Sequence, residues 1–527
     1  MTLAQRYSEG FSMAVVDMCF LVEKNPRNYN EAVEGPEASK RTKAIDEELA
    51  ALNDYGTWEE TDVVPKRALD TTWVFKIKAD KDGNVARRKA RLVVRGYIQI
   101  PGVDFGDTYA PVARVNSMRC VLAIAASRDY EIKQFDVDTA FLNPAIDYEI
   151  YIKRPQGSKA TTRYLKVLKS LYGLRQSPRC WNTLLDKTLK TFGFVAAPSD
   201  PCLYIYNSGD AYLVVYVADL VLCARDMGIV GKFEDFIETK FAIKKLGDLN
   251  FFLGVTVSRD REKKEIYLPQ MTFIDQLVAR FDVQAHGLLI PMKERPAVNV
   301  NDVVDTKLPF RELVGALLYL QQWTRPDITF AMSVLSRHLA TPTAKIYGAG
   351  IDVIRYLKKT RDLKLCLGGM LPLTLVGYCD ADLGSAADRK SQIGYIFLLG
   401  DNPVSWRSVK QTLVAASTVE AEYIALNSAV SEALYLQQLL HQLKVPTKTV
   451  TLFEDNMGAI HLAKNPVHHD GTKHFDIRLH RVRDYIEKKK VQVCYVRTTE
   501  QLADGLTKPL TGAKFNEFKQ FLLEGKC

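Results

Sequence analysis

Two carboxylates close together in the chain could hold a divalent cation. The segment YEIKQFDVDTAFL carries Asp136 and Asp138 at alternate positions, and side chains two apart on a strand point to the same face. Buried carboxylates on one face repel each other unless a cation lies between them, and Mg²⁺, with its octahedral shell of oxygen ligands, suits that role. On this segment alone, an exposed acidic strand edge is an equally good interpretation.

A second segment, VVYVADLVLCA at residues 214–224, predicts an apolar β-hairpin with Asp219 at its tip. A tip of the form Tyr-x-Asp-Asp lets two adjacent acids converge, although on a straight strand they would point apart. Here Ala218 holds the first of those two places. The hairpin therefore supplies one carboxylate where a pair could bind a cation.

Four further acids follow the order strand-Asp, helix-Glu, strand-Asp, helix-Asp in the last third of the chain. LTLVGYCDADLGS predicts a strand that ends with Asp380, and STVEAEYIALNSAVSEALYLQQLLHQL predicts a helix with Glu420 in its first turn. TVTLFEDNMGAIHLA predicts a strand ending at Asp455, and EQLADGLTKPL places Asp504 in a late helix. Taken singly, each acid is more readily explained as a capping or surface residue. Glu422 lies about 200° round the helix from Glu420, so the two are not expected to share a site.

The composition predicts a folded chain of several domains. Its 527 residues suit about two to four domains, and 47% hydrophobic with 25% charged residues is ordinary. The net charge of +9 favours a polyanionic partner only weakly in so long a chain. Nine cysteines without a CxxC pair and eight histidines without paired spacing indicate neither a zinc site nor a disulfide framework. Since no run of about 18 apolar residues occurs, we expect an intracellular protein that is neither secreted nor in a membrane.

Several stretches carry a family resemblance, in this order along the chain: NEAVEGPEASKRTKAIDEELAALNDYGTWE, WVFKIKADKDGNVARRKARLVVRGYIQIPGVDFGDTYAPVARVNSMR, DVDTAFLN, SLYGLRQSPRCW, FFLGVTV, RELVGALLYLQQWTRPDITFAMSVLSR and EQLADGLTKPL. Together they resemble the reverse transcriptase and ribonuclease H region of Copia-type long-terminal-repeat retrotransposon polyproteins. The resemblance covers nearly the whole chain and is specific, because many separate motifs agree in order and spacing.

The resemblance implies a multidomain fold of mixed α+β and α/β character. In that fold a right-hand polymerase with fingers, palm and thumb is followed by a connection and a ribonuclease H-like domain. The implied boundaries are an N-terminal lead-in at 1–65, fingers and palm at 66–245, primer grip and thumb at 246–300, connection at 301–370, and the ribonuclease H-like domain at 371–527.

The resemblance also assigns polymerase residues. Asp136 and Asp219 match palm carboxylates that bind metal and catalyse the reaction, and Ala218 stands where the family has another such carboxylate. The implied substrate-binding residues are the finger cations Lys89 and Arg91, with Lys78 a weaker candidate, Phe141 beside the sugar, Gln176 beneath the nascent pair, and Gly254 in the primer grip. Without the motifs, the same residues would be explained as core packing or a solvated strand face.

The four later acids match the four-carboxylate site of ribonuclease H. Asp380, Glu420, Asp455 and Asp504 are the implied catalytic and metal-binding residues. The family uses two Mg²⁺ ions in each active site, which Mn²⁺ can replace. All four acids are present, so the nuclease site is expected to be intact while the polymerase site lacks a carboxylate.

The implied partners are an RNA template, a DNA primer, an RNA:DNA hybrid and dNTPs, and the implied location is a virus-like particle in the cytoplasm. Oligomeric state is not predicted. Two alternatives remain open: a remnant of a transposable element that binds nucleic acid without catalysis, and a polymerase that works in spite of Ala218.

Overall fold

A computed structural model describes residues 25–35, 37–79, 85–297, 299, 301–384, 388–464 and 473–524. The predicted KDGN turn, the first part of the lead-in and the side chain of Lys78 lie outside the described residues. The chain combines helices with several sheets, as the predicted fold class requires. No helix in the part of the chain described is both long enough and apolar enough to cross a membrane.

The first part of the chain packs two helices and two small sheets round one apolar cluster. β2 and β3 form the predicted hairpin, and β1, β6 and β5 form a three-stranded sheet in that order. Gly173, with φ +92°, lies so close to the Val94 carbonyl that a side chain there would overlap it, which fixes the approach of β3 to the next segment. The elements are α1 (Tyr29–Glu34), α2 (Ala38–Asp54), β1 (Trp58–Thr61), β2 (Thr71–Ala79), β3 (Val85–Val94), β5 (Ala145–Lys153) and β6 (Tyr164–Lys169).

A six-stranded antiparallel sheet in the order β11-β4-β10-β9-β8-β7, called the central sheet below, forms the centre of the second part of the chain, residues 115–248. Alternate residues explain the continuous apolar run of the central hairpin: Leu220 and Leu222 face α4 and α5, whereas Val221 and Cys223 face α3. A sheet covered on both faces needs apolar residues at every position. The elements are α3 (Val115–Ser127), β4 (Glu131–Val137), α4 (Ser177–Phe192), β7 (Phe194–Ala197), β8 (Asp200–Tyr206), β9 (Ala211–Tyr216), β10 (Asp219–Ala224), α5 (Met227–Glu238) and β11 (Ile243–Asp248).

The middle of the chain consists of two short antiparallel sheets and four helices. β14, β15 and β16 pair in that order, so the strand after the helices closes back onto the hairpin before them. A buried ion pair between Arg325 and Asp327, with an N–O distance of 2.7 Å, fixes the break between α7 and α8. The elements are β12 (Phe251–Phe252), β13 (Val255–Thr256), β14 (Ser258–Asp260), β15 (Glu265–Pro269), α6 (Met271–Arg280), α7 (Phe310–Trp323), α8 (Thr329–Leu335), α9 (Ala344–Lys359) and β16 (Lys364–Gly368).

The last part of the chain forms a five-stranded sheet in the order β19-β18-β17-β20-β21. β17, β18 and β19 are antiparallel neighbours, and β20 runs parallel to both β17 and β21. The long helix α10 packs along β17. The elements are β17 (Leu375–Asp382), β18 (Gln392–Leu399), β19 (Asn402–Lys410), α10 (Thr418–Gln442), β20 (Val450–Glu454), α11 (Met457–Lys464), α12 (Lys473–Glu487), β21 (Val491–Tyr495) and α13 (Gly512–Lys519).

One apolar cluster runs through the middle and last parts of the chain and reaches α3, which packs against the central sheet. It includes buried residues from Ala113 to Leu523. Because this core is continuous, the packing does not by itself separate the segments, and the predicted boundaries at 65, 245, 300 and 370 stay predictions.

Candidate active sites

The central sheet brings Asp136 and Asp219 side by side. They are directly opposite partners in the antiparallel ladder between β4 and β10, and both side chains are half-buried. Facing residues of such a ladder have Cβ atoms about 4.5 to 5.5 Å apart, and like charges there destabilise the pair. A divalent cation would remove that repulsion, so the geometry suits a metal site with two carboxylates.

The turn that precedes Asp219 is strained. Val217 has φ +57°, a backbone conformation that a β-branched residue rarely adopts. The Trp181 indole N–H donates to the Val217 carbonyl at 2.7 Å, and that indole packs edge-on against Phe241. The turn places the Ala218 methyl group against the apolar cluster behind the sheet, where it offers no ligand atom.

Asp138 forms an ion pair with a lysine next to the carboxylate site. Its carboxylate forms an ion pair with Lys244, and Lys244 also stands opposite Asp136 in the ladder between β11 and β4. The Asp138 amide donates to the Ala242 carbonyl at 2.9 Å. The acid next to the site is therefore neutralised by a lysine.

The predicted substrate residues Arg91 and Phe141 lie in one cluster with Asp136. The Arg91 guanidinium lies 4.7 Å from the centre of the Tyr172 ring, and Tyr172 meets Phe141 edge-on at 5.2 Å. Burial raises the pKa of Tyr172, opposed by Arg91 and increased by Glu48 and Asp136, so the phenol stays neutral. Arg91 of β3 thus contacts Tyr172, a residue near enough to Asp136 to be affected by its charge.

Lys89 lies on the same strand, two residues before Arg91, with a half-buried side chain. Both cations lower the pKa of the Glu48 carboxyl group, but burial outweighs them and raises it. Binding of a triphosphate by Lys89 and Arg91 stays a prediction.

Gln176 holds a loop in place. Its side chain is fully buried, its amide N–H donates to the Asp104 carbonyl at 3.0 Å, and its amide oxygen accepts from Gln99 at 3.1 Å. Both polar ends are thus engaged in holding the loop that precedes α3, and the predicted place of Gln176 beneath the nascent pair stays a prediction. Ser177 also turns inward and donates to the Leu171 carbonyl at 2.6 Å.

Gly254 occupies a tight turn between β12 and β13. Leu253 and Gly254 have φ values of +49° and +86°, as a two-residue type I′ turn requires. The Tyr319 hydroxyl donates to the Leu253 carbonyl at 2.7 Å and anchors the turn on α7. The turn is present where the motif suggested it, and its contact with a primer stays a prediction.

Three carboxylates converge at one end of the five-stranded sheet. Asp380 in β17, Glu422 in α10 and Asp455 after β20 place ligand oxygens within 4.8 Å of one another. Asp380 and Glu422 are only 2% and 5% exposed, and the oxygen Oε2 of Glu422 has no hydrogen-bond partner. A buried, unpartnered oxygen among acids fits a bound cation, and the all-oxygen donor set suits Mg²⁺ or Mn²⁺.

The proximity of these acids shifts their proton affinities. Burial, with Glu454, Asp380 and Asp455 adding repulsion, raises the pKa of Glu422 to about 11. Burial also raises the pKa of Asp380 to about 6, opposed by Lys508 and increased by Asp504. Without a cation the cluster holds protons at neutral pH, and a divalent cation would displace them.

The prediction that Glu420, rather than Glu422, lies in this cluster is wrong. The Glu420 carboxylate accepts from the Ala416 amide at 2.6 Å, and the Ser417 hydroxyl accepts from the Glu420 amide at 3.2 Å. These two bonds cap the start of α10 much as a capping box does, except that the carboxylate accepts from the residue before the N-cap Ser417. The cap holds the Glu420 side chain outside the carboxylate cluster. Because Glu422 lies about 200° further round α10, its side chain points into the cluster. The pattern Ser417-x-x-Glu420 was the signal that could have separated the two roles.

Asp504 lies beside the cluster but is held by lysines. It is 1% exposed and lies in a 3₁₀ turn, Leu502–Leu506, rather than in an α-helix. Its carboxylate pairs with Lys508 at 2.8 Å and with Lys514. Asp504 is not among the three acids whose ligand atoms converge, so its predicted role as a metal ligand stays a prediction.

Sequence reasoning missed several residues round the cluster. Glu454 is completely buried and accepts from the Cys379 thiol at 3.4 Å and the Asn456 amide at 3.1 Å; burial raises its pKa well above the usual range. The Thr507 hydroxyl donates to Asp380. No motif marked these residues, because their roles depend on which face of each element turns inward.

Comparison with known proteins agrees with the motifs. A family model described as Reverse transcriptase (RNA-dependent DNA polymerase) matches residues 55–294. The chain is 35% identical to the retrovirus-related Pol polyprotein from transposon TNT 1-94 of Nicotiana tabacum, over 95% of this chain and 39% of that protein. It is 34% identical to the Pol polyprotein from transposon RE2 of Arabidopsis thaliana, over 98% of this chain and 35% of that protein. The chain belongs to the Copia-type Pol polyprotein family.

Within the Copia-type family the chain spans 39% and 35% of the length of these two relatives. A solved foamy viral protease-reverse transcriptase in complex with an RNA/DNA hybrid is also similar, with a TM-score of 0.49, 14% identity, and coverage of 87% of this chain and 54% of that chain. By its family model and its Pol polyprotein relatives, the chain is reverse transcriptase-like.

Proposed function

We propose that this Copia-type chain cleaves the RNA strand of RNA:DNA hybrids at the Asp380, Glu422 and Asp455 cluster, and that Ala218 disables its polymerase site. The observation that carries the proposal is the convergence of these three oxygens within 4.8 Å round an unpartnered buried oxygen of Glu422. Protein carboxylates rarely gather in this way unless a cation offsets their repulsion.

Asp380, Glu422 and Asp455 would hold the cation. Divalent ions at such sites activate a water molecule and stabilise the leaving oxygen at an RNA phosphodiester. The remaining residues position the acids: Thr507 donates to Asp380, and the Ala381 backbone hydrogen-bonds to Glu422. Asp380 is therefore oriented by a neighbouring side chain, and Glu422 by the backbone.

Lys508 and Lys514 give the edge of the cluster positive charge. Both pair with Asp504, and their side chains remain 36% and 35% exposed. Exposed ammonium groups beside a phosphodiester-cleaving site suit contact with substrate phosphates. Recognition of the hybrid would rest on groove width and 2′-hydroxyl groups rather than on base sequence.

The polymerase half supports template and primer binding without efficient extension. Asp136 and Asp219 form a pair. The position for a third carboxylate, just before Asp219 in the turn, holds Ala218, which packs against the sheet. Losing even an outer partner of a metal site costs roughly 10- to 100-fold, so losing a carboxylate at the site itself costs at least that much. RNA template, DNA primer and dNTPs are the proposed substrates of this half.

The nuclease proposal is tested with the full chain, a labelled RNA:DNA hybrid and Mg²⁺. We expect cleavage of the RNA strand that stops when EDTA is added and is lost in Asp455→Asn. A matched control is Asp484→Asn, an exposed acid of α12 that pairs with Lys488 at 2.8 Å. If the chain binds the hybrid but does not cleave it under any metal, the chain is a nucleic-acid-binding remnant and the proposal fails.

The polymerase proposal is tested by primer extension on an RNA template with dNTPs and Mg²⁺. Ala218→Asp restores the missing carboxylate, and Ala218→Asn has nearly the same size without the charge. We expect extension by Ala218→Asp alone. Extension by the unaltered chain at a comparable rate would contradict the proposed loss of polymerase activity.

A further inference from the structure

A cavity of about 810 Å³ lies apart from both carboxylate sites. Its walls come from the start of α3, from α7 and α8, from β18 and β19, and from the middle of α10. It therefore lies where the central sheet, the middle helices and the five-stranded sheet meet. Its volume is within the range of about 300 to 1,000 Å³ that is usual for small-molecule sites.

Four arginines line this cavity: Arg114, Arg119, Arg337 and Arg407. Among the described residues, none of the four forms an ion pair with a carboxylate. Lys410, a fifth cation in the wall, does pair with Asp388 at 2.8 Å. Four guanidiniums thus share the cavity wall with a single acid, Glu432, which leaves the cavity positively charged.

Neutral groups hold the guanidiniums in place. Arg119 is 4% exposed, donates to the Val404 carbonyl at 2.8 Å and lies 3.8 Å from the centre of the Trp406 ring. Arg114 lies 4.5 Å from the centre of the Tyr435 ring. Burial lowers the pKa of Arg119 to about 9, opposed by Cys120 and Glu432, so burial outweighs the negative charge near this guanidinium.

One acid lies in the wall, and its carboxylate is engaged. Glu432 accepts from Asn116 at 2.9 Å and from Ser405 at 2.6 Å. Serine hydroxyls add neutral donors to the lining, among them Ser333, Ser336, Ser428 and Ser431. Guanidiniums fixed in a rigid fork beside hydroxyl donors are the groups that proteins use to bind phosphate.

We propose that this cavity binds phosphate groups, either those of a nucleic-acid strand or those of a free nucleoside polyphosphate. Its position favours a strand that also reaches the nuclease cluster. Arg337 hydrogen-bonds to Gln392, and Gln392 is the ladder partner of Asp382 in β17, two residues beyond Asp380. A phosphate held by Arg337 would therefore lie beside β18, which is the neighbour of β17, the strand that carries Asp380.

The test measures binding to the full chain in EDTA, so that the carboxylate clusters hold no divalent cation. The two probes are inorganic tripolyphosphate, followed by calorimetry, and a fluorescent single-stranded DNA oligonucleotide, followed by anisotropy. Arg114→Gln and Arg337→Gln each remove one guanidinium. Arg225→Gln is the control, because it removes the same charge from a surface arginine paired with Asp210 at 2.6 Å.

We expect each cavity variant to weaken binding about tenfold, which corresponds to one charge-assisted hydrogen bond, and the control to bind as the unaltered chain does. For the oligonucleotide, each lost phosphate contact also reduces the slope of log affinity against log salt by about 0.7. Ser428→Asp keeps every arginine but adds a carboxylate to the wall, and it should weaken binding as well. This variant separates loss of binding from misfolding.

The two probes distinguish the source of the phosphate. Weaker binding of both probes by the cavity variants indicates recognition of the phosphate group itself, and weaker binding of one alone identifies a strand or a free polyphosphate. Unchanged binding of both probes in Arg114→Gln, Arg337→Gln and Ser428→Asp would overturn the inference. Since no cleavage is measured, this outcome is independent of whether the proposed nuclease is active.

Discussion

Replacing Glu422 by glutamine should stabilise the metal-free protein above neutral pH. The folded-state pKa of Glu422 is raised from 4.5 to about 11 by burial and neighbouring acids. Between these two pKa values the native state keeps a proton that the unfolded chain has released. The contribution of Glu422 to the free energy of unfolding is therefore greatest below about pH 4.5 and falls as the pH rises towards about 11. Glutamine cannot ionise and has nearly the same shape, so Glu422→Gln removes this loss of stability.

The size of this loss of stability follows from the interval between the unfolded-state pKa of Glu422 and the pH of the measurement. Each pH unit between the two pKa values is worth about 1.36 kcal/mol, and about three units separate 4.5 from pH 7.5, which gives about 4 kcal/mol as an upper value. Glu454, Asp380 and Asp455 all repel the Glu422 carboxylate, so this energy belongs to the whole cluster rather than to Glu422 alone.

The assay is the melting temperature from about pH 5 to pH 9, in EDTA and in Mg²⁺. We expect Glu422→Gln to melt higher than the unaltered chain in EDTA, with the difference growing as the pH rises. Mg²⁺ at a hundred times its dissociation constant should stabilise the unaltered chain by about 2.7 kcal/mol but leave Glu422→Gln unchanged.

Glu420→Gln is the matched control for this experiment. It weakens the bond to the Ala416 amide and should lower stability slightly at every pH, by up to about 1 kcal/mol, while keeping the response to Mg²⁺. The reasoning is refuted if Glu422→Gln melts lower than the unaltered chain at high pH in EDTA, or if it responds to Mg²⁺ as the unaltered chain does.

Three further substitutions test the buried ion pair, the strained turn and the lysine beside Asp504. Asp327→Asn leaves the buried Arg325 without its carboxylate, so we expect a loss of about 3 to 5 kcal/mol, measured by urea unfolding; a loss below 1 kcal/mol would contradict the assigned role of the pair. Val217→Gly relieves a positive φ and should raise the melting temperature, with a gain of about 1 kcal/mol; a lower melting temperature would contradict the strain. Lys514→Met removes a cation from Asp504 and should tighten Mn²⁺ binding in an electron paramagnetic resonance titration, whereas weaker binding would mean that the lysine supports the metal site.

The sequence predicted the elements that carry the acids more reliably than the faces those acids occupy. The apolar runs on both sides of Asp219 and the alternation before Asp136 predicted the hairpin and the strand that carry the two acids. The resemblance implied that they share a site, and the ladder pairs them directly. In α10, by contrast, both Glu420 and Glu422 fit a helix start, and the choice between them depends on which one the cap uses.

Other differences depend on contacts between distant segments. Gln176 has no local pattern that predicts burial, because its partners Gln99 and Asp104 come from a loop more than seventy residues earlier. The two lysines on Asp504 are close in sequence, but only the fold places that carboxylate next to Asp380. The arginine-lined cavity joins segments from residue 114 to residue 435, and no periodicity within one element could have indicated it.

Cleavage of a labelled RNA:DNA hybrid by Glu420→Gln and Glu422→Gln, side by side in Mg²⁺, shows which of the two glutamates belongs to the nuclease site. The structure predicts that Glu420→Gln cleaves at nearly the rate of the unaltered chain and that Glu422→Gln does not cleave, because only Glu422 faces Asp380 and Asp455. Cleavage by Glu422→Gln together with loss of cleavage in Glu420→Gln would contradict the assignment of the carboxylate cluster.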